Sequence, residues 1–215
     1  MKNSTLVITA LMLLFLAGCN KESRVERSEI EVIDGILHVD GKKFTGIAYD
    51  TYTNKTLRSE YQIAEGVENG PSTTYHPNGA LDEKVNWVKG KKDGTYEKYF
   101  DNGQLAVKGT FKEGQRDGGF ETFYESGKKR RTGFYDDGKL VGTVQDYFEN
   151  GELSSSVTFN DNLKDGPYEE YYDNGQMKVF GYFKSDRRHG TFEFYAKDGT
   201  LEKKVVYENN RAVKN

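Results

Sequence analysis

The sequence predicts an all-β fold, an elongated, twisted, single-layer antiparallel β-meander built from 24-residue hairpin repeats. Three observations predict it. Gly46, Gly70, Gly94, Gly118, Gly142, Gly166 and Gly190 recur at a spacing of 24 residues without insertion or deletion, and a fixed period in this range marks a repeat architecture. Six of the seven units carry a glycine-containing turn dipeptide near the middle, and a second turn signal lies near the end of each, the punctuation of hairpins. The stretches between turns alternate apolar and polar residues with the period of a strand.

With the anchoring glycine as position 1, the first turn falls at positions 9 and 10: Asn78-Gly79, Asn102-Gly103, Ser126-Gly127, Asn150-Gly151, Asn174-Gly175 and Asp198-Gly199. Asn-Gly reads as a two-residue type I′ turn. The second turn, at positions 20 and 21, is Lys89-Gly90, Glu113-Gly114 and Asp137-Gly138, and it decays to Asp161-Asn162, Ser185-Asp186 and Asn209-Asn210. A two-residue first loop sets position 7 opposite 12, 5 opposite 14 and 3 opposite 16.

Covariation inside the chain tests that register. Glycine at position 16 (Gly109, Gly133, Gly181) goes with a ring at position 3 (Tyr96, Phe120, Tyr168). Small or aliphatic residues at position 3 (Ala48, Ser72, Val144) go with larger ones at position 16 (Tyr61, Val85, Val157). Phe192 with Val205 is the exception. A ring over a facing glycine compensates a weak strand position.

One face then carries positions 3, 7, 12, 14, 16 and 18. It includes Phe100, Tyr124, Phe148 and Tyr172 at position 7, Leu105, Leu153, Met177 and Leu201 at position 12, and Trp87, Phe111, Tyr135, Phe159, Phe183 and Tyr207 at position 18. Across the second turn, Trp87 meets Lys92, Phe111 meets Arg116, Phe159 meets Lys164 and Phe183 meets Arg188 as candidate cation–π pairs. The opposite face is more polar, with one aromatic row at position 6. Residues 29–45 read as two or three short strands that complete the N-terminal edge. Roughly 16 strands at about 4.8 Å spacing make a ribbon on the order of 75 Å long, curled by the usual right-handed twist.

The chain divides into a signal peptide (1–18), a tether (19–28), N-terminal edge strands (29–45) and seven repeats (46–215). Lys2 and the apolar run Leu6 to Phe15, closed by Leu16-Ala17-Gly18-Cys19, resemble a bacterial lipoprotein signal cleaved before a cysteine that takes the lipid. Cys19 is the one cysteine of the chain, so the mature protein has no thiol for a disulfide or a nucleophile. The resemblance implies an envelope location with membrane attachment through lipid on Cys19. Asn20 rather than Asp after the cysteine implies the outer membrane in a Gram-negative source.

The pattern Gly-x-Tyr-x-x-Tyr-Tyr-x-Asn-Gly-x-Leu followed by Gly-x-Phe-Lys-x-Gly, clearest in residues 94–117 and 166–189, resembles the MORN repeat. It is most similar to the bacterial variant of YwqK-type antitoxin proteins. Ala48, Ser72 and Asn54-Lys55 depart from the pattern in the first two units. The resemblance implies a scaffold, a protein-binding platform or a lipid-associated surface. Its antitoxin label implies a toxin as a protein partner.

The candidate binding surface is the position 6 row, Tyr75, Tyr99, Phe123, Tyr147, Tyr171 and Tyr195, together with the basic cluster Lys128, Lys129, Arg130 and Arg131. The ring-rich face is too large to stand bare. Curling of the sheet, a partner or a homodimer would cover it. A net charge of −3 with interspersed signs argues against nucleic acid, which needs a basic excess. His38, His76 and His189 are scattered without ligand spacing, so neither metal nor cofactor is expected. No nucleophile–base set or phosphate loop is present, so the reading is an envelope-anchored lipoprotein whose repeats serve as a non-catalytic binding or scaffold surface for a protein, glycan or lipid partner. Its alternatives are an antitoxin or immunity protein and, remotely, a cell-envelope hydrolase.

Overall fold

The computed structural model describes residues 23–213; the signal peptide, Cys19 and the start of the tether lie outside the described residues. The described chain opens with β1 (Arg24–Glu26), β2 (Glu31–Ile33), β3 (Ile36–Val39), β4 (Lys42–Lys43) and β5 (Gly46–Thr51). From β5 onward each strand pairs with its neighbours in the chain as far as Arg211–Ala212, giving an 18-stranded sheet that includes β1. In that sheet Gln115–Arg116 with Gly118–Phe123, and Arg187–Arg188 with Gly190–Tyr195, are two runs each interrupted at a bulge.

Beyond the first turn the register is the one that the covariation implies. Ala48 faces Tyr61, Ser72 faces Val85, Tyr96 faces Gly109, Phe120 faces Gly133, Val144 faces Val157, Tyr168 faces Gly181 and Phe192 faces Val205. Position 16 also faces position 3 of the following unit, as in Val85 with Tyr96 and Val157 with Tyr168. A single row of alternating 3 and 16 residues therefore runs the length of the sheet.

The row also explains the exception. A Cβ on Gly181 would stand 2.5 Å from the ring of Phe192 in the next hairpin, and one on Gly133 would stand 2.5 Å from Phe120. Phe192 fills the place of the preceding glycine and is fully buried, so Val205 on its other side need not be small.

The first turn corrects the type I′ expectation. In each such hairpin the glycine N–H donates to the position 7 carbonyl, as in Gly103 to Phe100 at 2.9 Å, and position 7 N–H donates to position 11, as in Phe100 to Gln104 at 2.8 Å. Gly103 has φ of 82°, whereas Asn102 is not among the residues of positive φ. This is a three-residue loop, a type I turn closed by a left-handed glycine.

Position 6, not 7, is therefore the cross-strand partner of position 12: Tyr99 with Leu105, Tyr147 with Leu153, Tyr171 with Met177 and Tyr195 with Leu201. A bulge at position 13 then restores the register, so that Lys98 faces Val107. The loop has one residue more than expected, and the bulge absorbs one.

At the second turn the type I′ geometry holds in every unit. Lys89 and Gly90 have φ of 50° and 78°, and Asn209 and Asn210 have 49° and 69°. The loss of glycine is compensated. Asn162, Asp186 and Asn210 each accept, through Oδ1, the N–H of Leu140, Lys164 and Arg188 in the preceding unit.

The N-terminal edge is also corrected. Residues 31–43 do not extend the main sheet; β2, β3 and β4 form a separate three-stranded sheet. The edge strand is β1, from the expected tether, pairing in parallel with β5. Three-residue strands carry too little alternation to be read from sequence. The small sheet and β1 cap the first repeat, where Phe44, Ala48 and Ile63 are buried against Val25, Ile30, Leu37 and Val39.

Gly181→Ala should lower stability by about 1–3 kcal/mol, because the added methyl overpacks the Phe192 ring. Phe192→Leu in the same chain should recover part of that loss. Denaturant melts of the two single variants and the double variant measure the coupling.

Candidate interaction surface

The sheet has two unlike faces. The face of positions 3, 14, 16 and 18 holds its buried apolar side chains, among them Val144, Val85, Val157 and Val179. Its rings touch edge to face along the array: Tyr96 with Phe111, Tyr168 with Phe183, Phe183 with Phe192 and Phe192 with Tyr207, with centroids 5.2–5.7 Å apart. Such pairs add to the burial of their area.

The position 23 cations reach forward, not only across the turn. Lys92 does lie 5.5 Å from Trp87, its cross-strand partner. Arg116, Lys164 and Arg188 also have their expected partners across the strand. Yet their charges lie over rings of the next hairpin: Arg116 over Tyr135 at 5.4 Å, Lys164 over Phe183 at 5.2 Å and Arg188 over Tyr207 at 5.3 Å. Lys92 likewise reaches Phe111 at 5.5 Å. These contacts bracket successive repeats at about 0.5–1 kcal/mol each.

The opposite face carries the position 6 row, and each side chain in it is half-buried. Its hydroxyls are tied two residues back. Tyr99 donates to Glu97 at 2.7 Å, Tyr147 to Gln145 at 3.0 Å, Tyr171 to Glu169 at 3.0 Å and Tyr195 to Glu193 at 2.5 Å. Tyr75 instead accepts from Thr73 at 3.3 Å. Phe123 has no hydroxyl, and Glu121 beside it pairs with Lys129 at 2.7 Å.

Since cross-strand partners share a face, the position 12 side chains Leu81, Leu105, Leu153, Met177 and Leu201 stand beside these rings. Sequence reasoning placed them on the other face, because the bulge that moves them leaves the distant register unchanged.

The basic cluster does not form one patch. Lys129 joins the position 6 face through Glu121, while the bulge turns Arg130 and Arg131 the other way. Arg130 lies 5.8 Å from the Tyr124 ring and Arg131 stands 3.3 Å from Asp146. Lys128 is exposed just after the turn, where its carbonyl accepts the Tyr124 N–H at 2.8 Å. The histidines stay apart: His38 Nδ1 is 3.0 Å from the Ile36 carbonyl and His76 Nε2 is 3.0 Å from that of Tyr99. Among the described residues no three metal-ligating groups come together.

The family described as MORN repeat variant matches residues 68–89, 92–113, 116–137, 140–161, 164–184 and 188–209. Each match starts at the position 23 residue that precedes a hairpin. No curated protein matches the chain. Among solved structures, the chain is similar at 19% identity to TarM, over 47% of this chain and 21% of that one, with a TM-score of 0.29. It is similar at 18% identity to a mutant of S. aureus TarM in complex with fondaparinux, α-GlcNAc-glycerol and UDP, over 44% and 20%, again with a TM-score of 0.29. The chain thus spans about a fifth of the length of those proteins, and at that score neither likeness bears on its fold or activity.

The tied hydroxyls predict an alkaline transition. The hydrogen bond to Glu97, with partial burial and the carboxylate charge, pushes Tyr99 up to about 12; burial and then Glu83 push Tyr96 up to about 12 as well. The unfolded chain ionises these tyrosines near 10, so the fold keeps their contribution below pH 10 and loses it between pH 10 and 12. Ultraviolet titration should resolve a late-ionising class of tyrosines, and Glu97→Gln should return Tyr99 towards pH 10.

Proposed function

The chain belongs to the MORN repeat variant family, and on that premise we propose that it is a lipid-anchored, non-catalytic scaffold of the bacterial cell envelope that holds a protein partner on its position 6 face. The observation that carries this reading is the pairing of the tyrosine row with the position 12 aliphatic row, such as Tyr99 with Leu105 and Tyr171 with Met177. The result is a stripe of ring and aliphatic side chains in the hairpins that begin at Gly70, Gly94, Gly142, Gly166 and Gly190, interrupted where Phe123 faces Lys129. Aromatic residues and methionine are the enriched components of protein interfaces, and hydroxyls already fixed by a neighbour cost little further ordering on binding. The stripe is an open sheet face, whereas small-molecule sites are concave.

Anchoring is supported by the Leu16-Ala17-Gly18-Cys19 segment. The non-catalytic reading is supported by a sequence without a nucleophile–base set, and two carboxyl groups, Glu170 and Glu193, are unsuited to act as general acids. Burial opposes ionisation of Glu170, yet hydrogen bonds from Lys178 and Tyr168 hold it below its ordinary range. Lys204 and Tyr195 do the same for Glu193. A general acid needs the opposite shift.

Crosslinking in intact cells followed by identification of the trapped protein tests the reading. Tyr99→Ala with Tyr147→Ala should abolish capture while the chain stays folded. Retention of every partner would remove this face from the proposal. A trapped toxin whose action the chain blocks would make the scaffold an antitoxin.

A further inference from the structure

Val32 and Ile33 are 66% and 47% exposed, and both lie on β2, an outer strand of the small N-terminal sheet. Their partners across the hairpin, Leu37 and Ile36, are half-buried. An apolar, β-branched edge strand open to water invites pairing with other chains, and proteins pair, cover or charge such edges.

The covering surface follows from the anchor. The inference rests on lipidation of Cys19, which lies four residues before Ser23. The Ser23 carbonyl is already fixed in the fold, accepting the Ile47 N–H at 2.8 Å. Four extended residues span at most about 14 Å, and the headgroup layer on one side of a bilayer takes up roughly 5–7 Å. Little clearance remains between the membrane and the N-terminal cap.

We propose that β2 rests on the lipid surface, with Val32 and Ile33 at the boundary between headgroups and acyl chains. Glu31 and Asp34 flank the pair and limit the depth to the interface, because carboxylates are costly in hydrocarbon. Exposed Lys42 and Lys43 on β4 supply long side chains able to reach headgroup phosphates.

Acylation consumes the one native thiol, so an engineered cysteine can be labelled alone. Full-length acylated protein carrying Val32→Cys, or Thr200→Cys in the last repeat as reference, is labelled with a polarity-sensitive dye. Each is reconstituted in phosphatidylethanolamine–phosphatidylglycerol vesicles that contain a lipid-borne quencher. Quenching at residue 32 several-fold stronger than at residue 200 is the expected result.

Equal, weak quenching at both sites in protein that sediments with vesicles would overturn the cap contact and leave the anchor standing. Protein that fails to sediment and whose Cys19 itself takes the dye would overturn the anchor and this inference together. A vesicle-independent shift at residue 32, accompanied by a dimeric mass in detergent, would assign β2 to a second copy instead.

Discussion

A single-layer sheet has no second layer to close its core, so every hairpin must be held by the next one. The fold depends on hydrogen bonds that cross from repeat to repeat at both ends of the strands. At the first turn, Asn78, Asn102, Asn150 and Asn174 each use Oδ1 to accept the N–H two residues on and Nδ2 to donate to a carbonyl of the following turn, at 2.9–3.2 Å. At the second turn, position 21 N–H donates to the carbonyl of position 23 one unit earlier, as Gly114 does to Lys92 at 2.7 Å. The tyrosines of position 7 add a third line: Tyr52, Tyr124 and Tyr172 donate to the carbonyls of Tyr75, Tyr147 and Tyr195.

These lines give the asparagines a purpose that turn geometry alone does not. Aspartate could accept from its own turn but could not donate to the next. Asp198, in the last repeat, accepts from Thr200 and has no following first turn among the described residues. The array therefore behaves as a chain of units joined by nearest-neighbour interfaces. The position 23 cations and the 3–16 row reinforce the same joints, which leaves the position 6 face free of structural ring contacts among the described residues.

Much of this was legible in the residues. The covariation of Tyr96, Phe120 and Tyr168 with Gly109, Gly133 and Gly181 fixed the register because a ring and a side chain cannot occupy one space. The first turn was not legible, because Asn-Gly suits a type I′ turn and also a type I turn closed by a left-handed glycine. The extra loop residue and the position 13 bulge cancel, so distant pairs gave no warning, yet the leucines change face. The short strands of 29–45 were legible, but not their separation into a sheet of their own, nor β1 in the expected tether, which is too short to show a period. Of the candidate site, the tyrosine row stands as one surface, while the Lys128–Arg131 run divides between faces at the bulge.

Side-chain amides join the hairpins, and substitutions at Asn102 and Asp198 separate that role from turn formation. Asn102→Asp keeps the turn acceptor and removes the donor to Glu125, so stability should fall by about 1 kcal/mol, and hydrogen exchange should quicken in the hairpins on both sides. Asp198→Asn should change neither quantity. Equal, negligible effects from both substitutions would mean that the asparagines serve only their own turns and do not join the repeats.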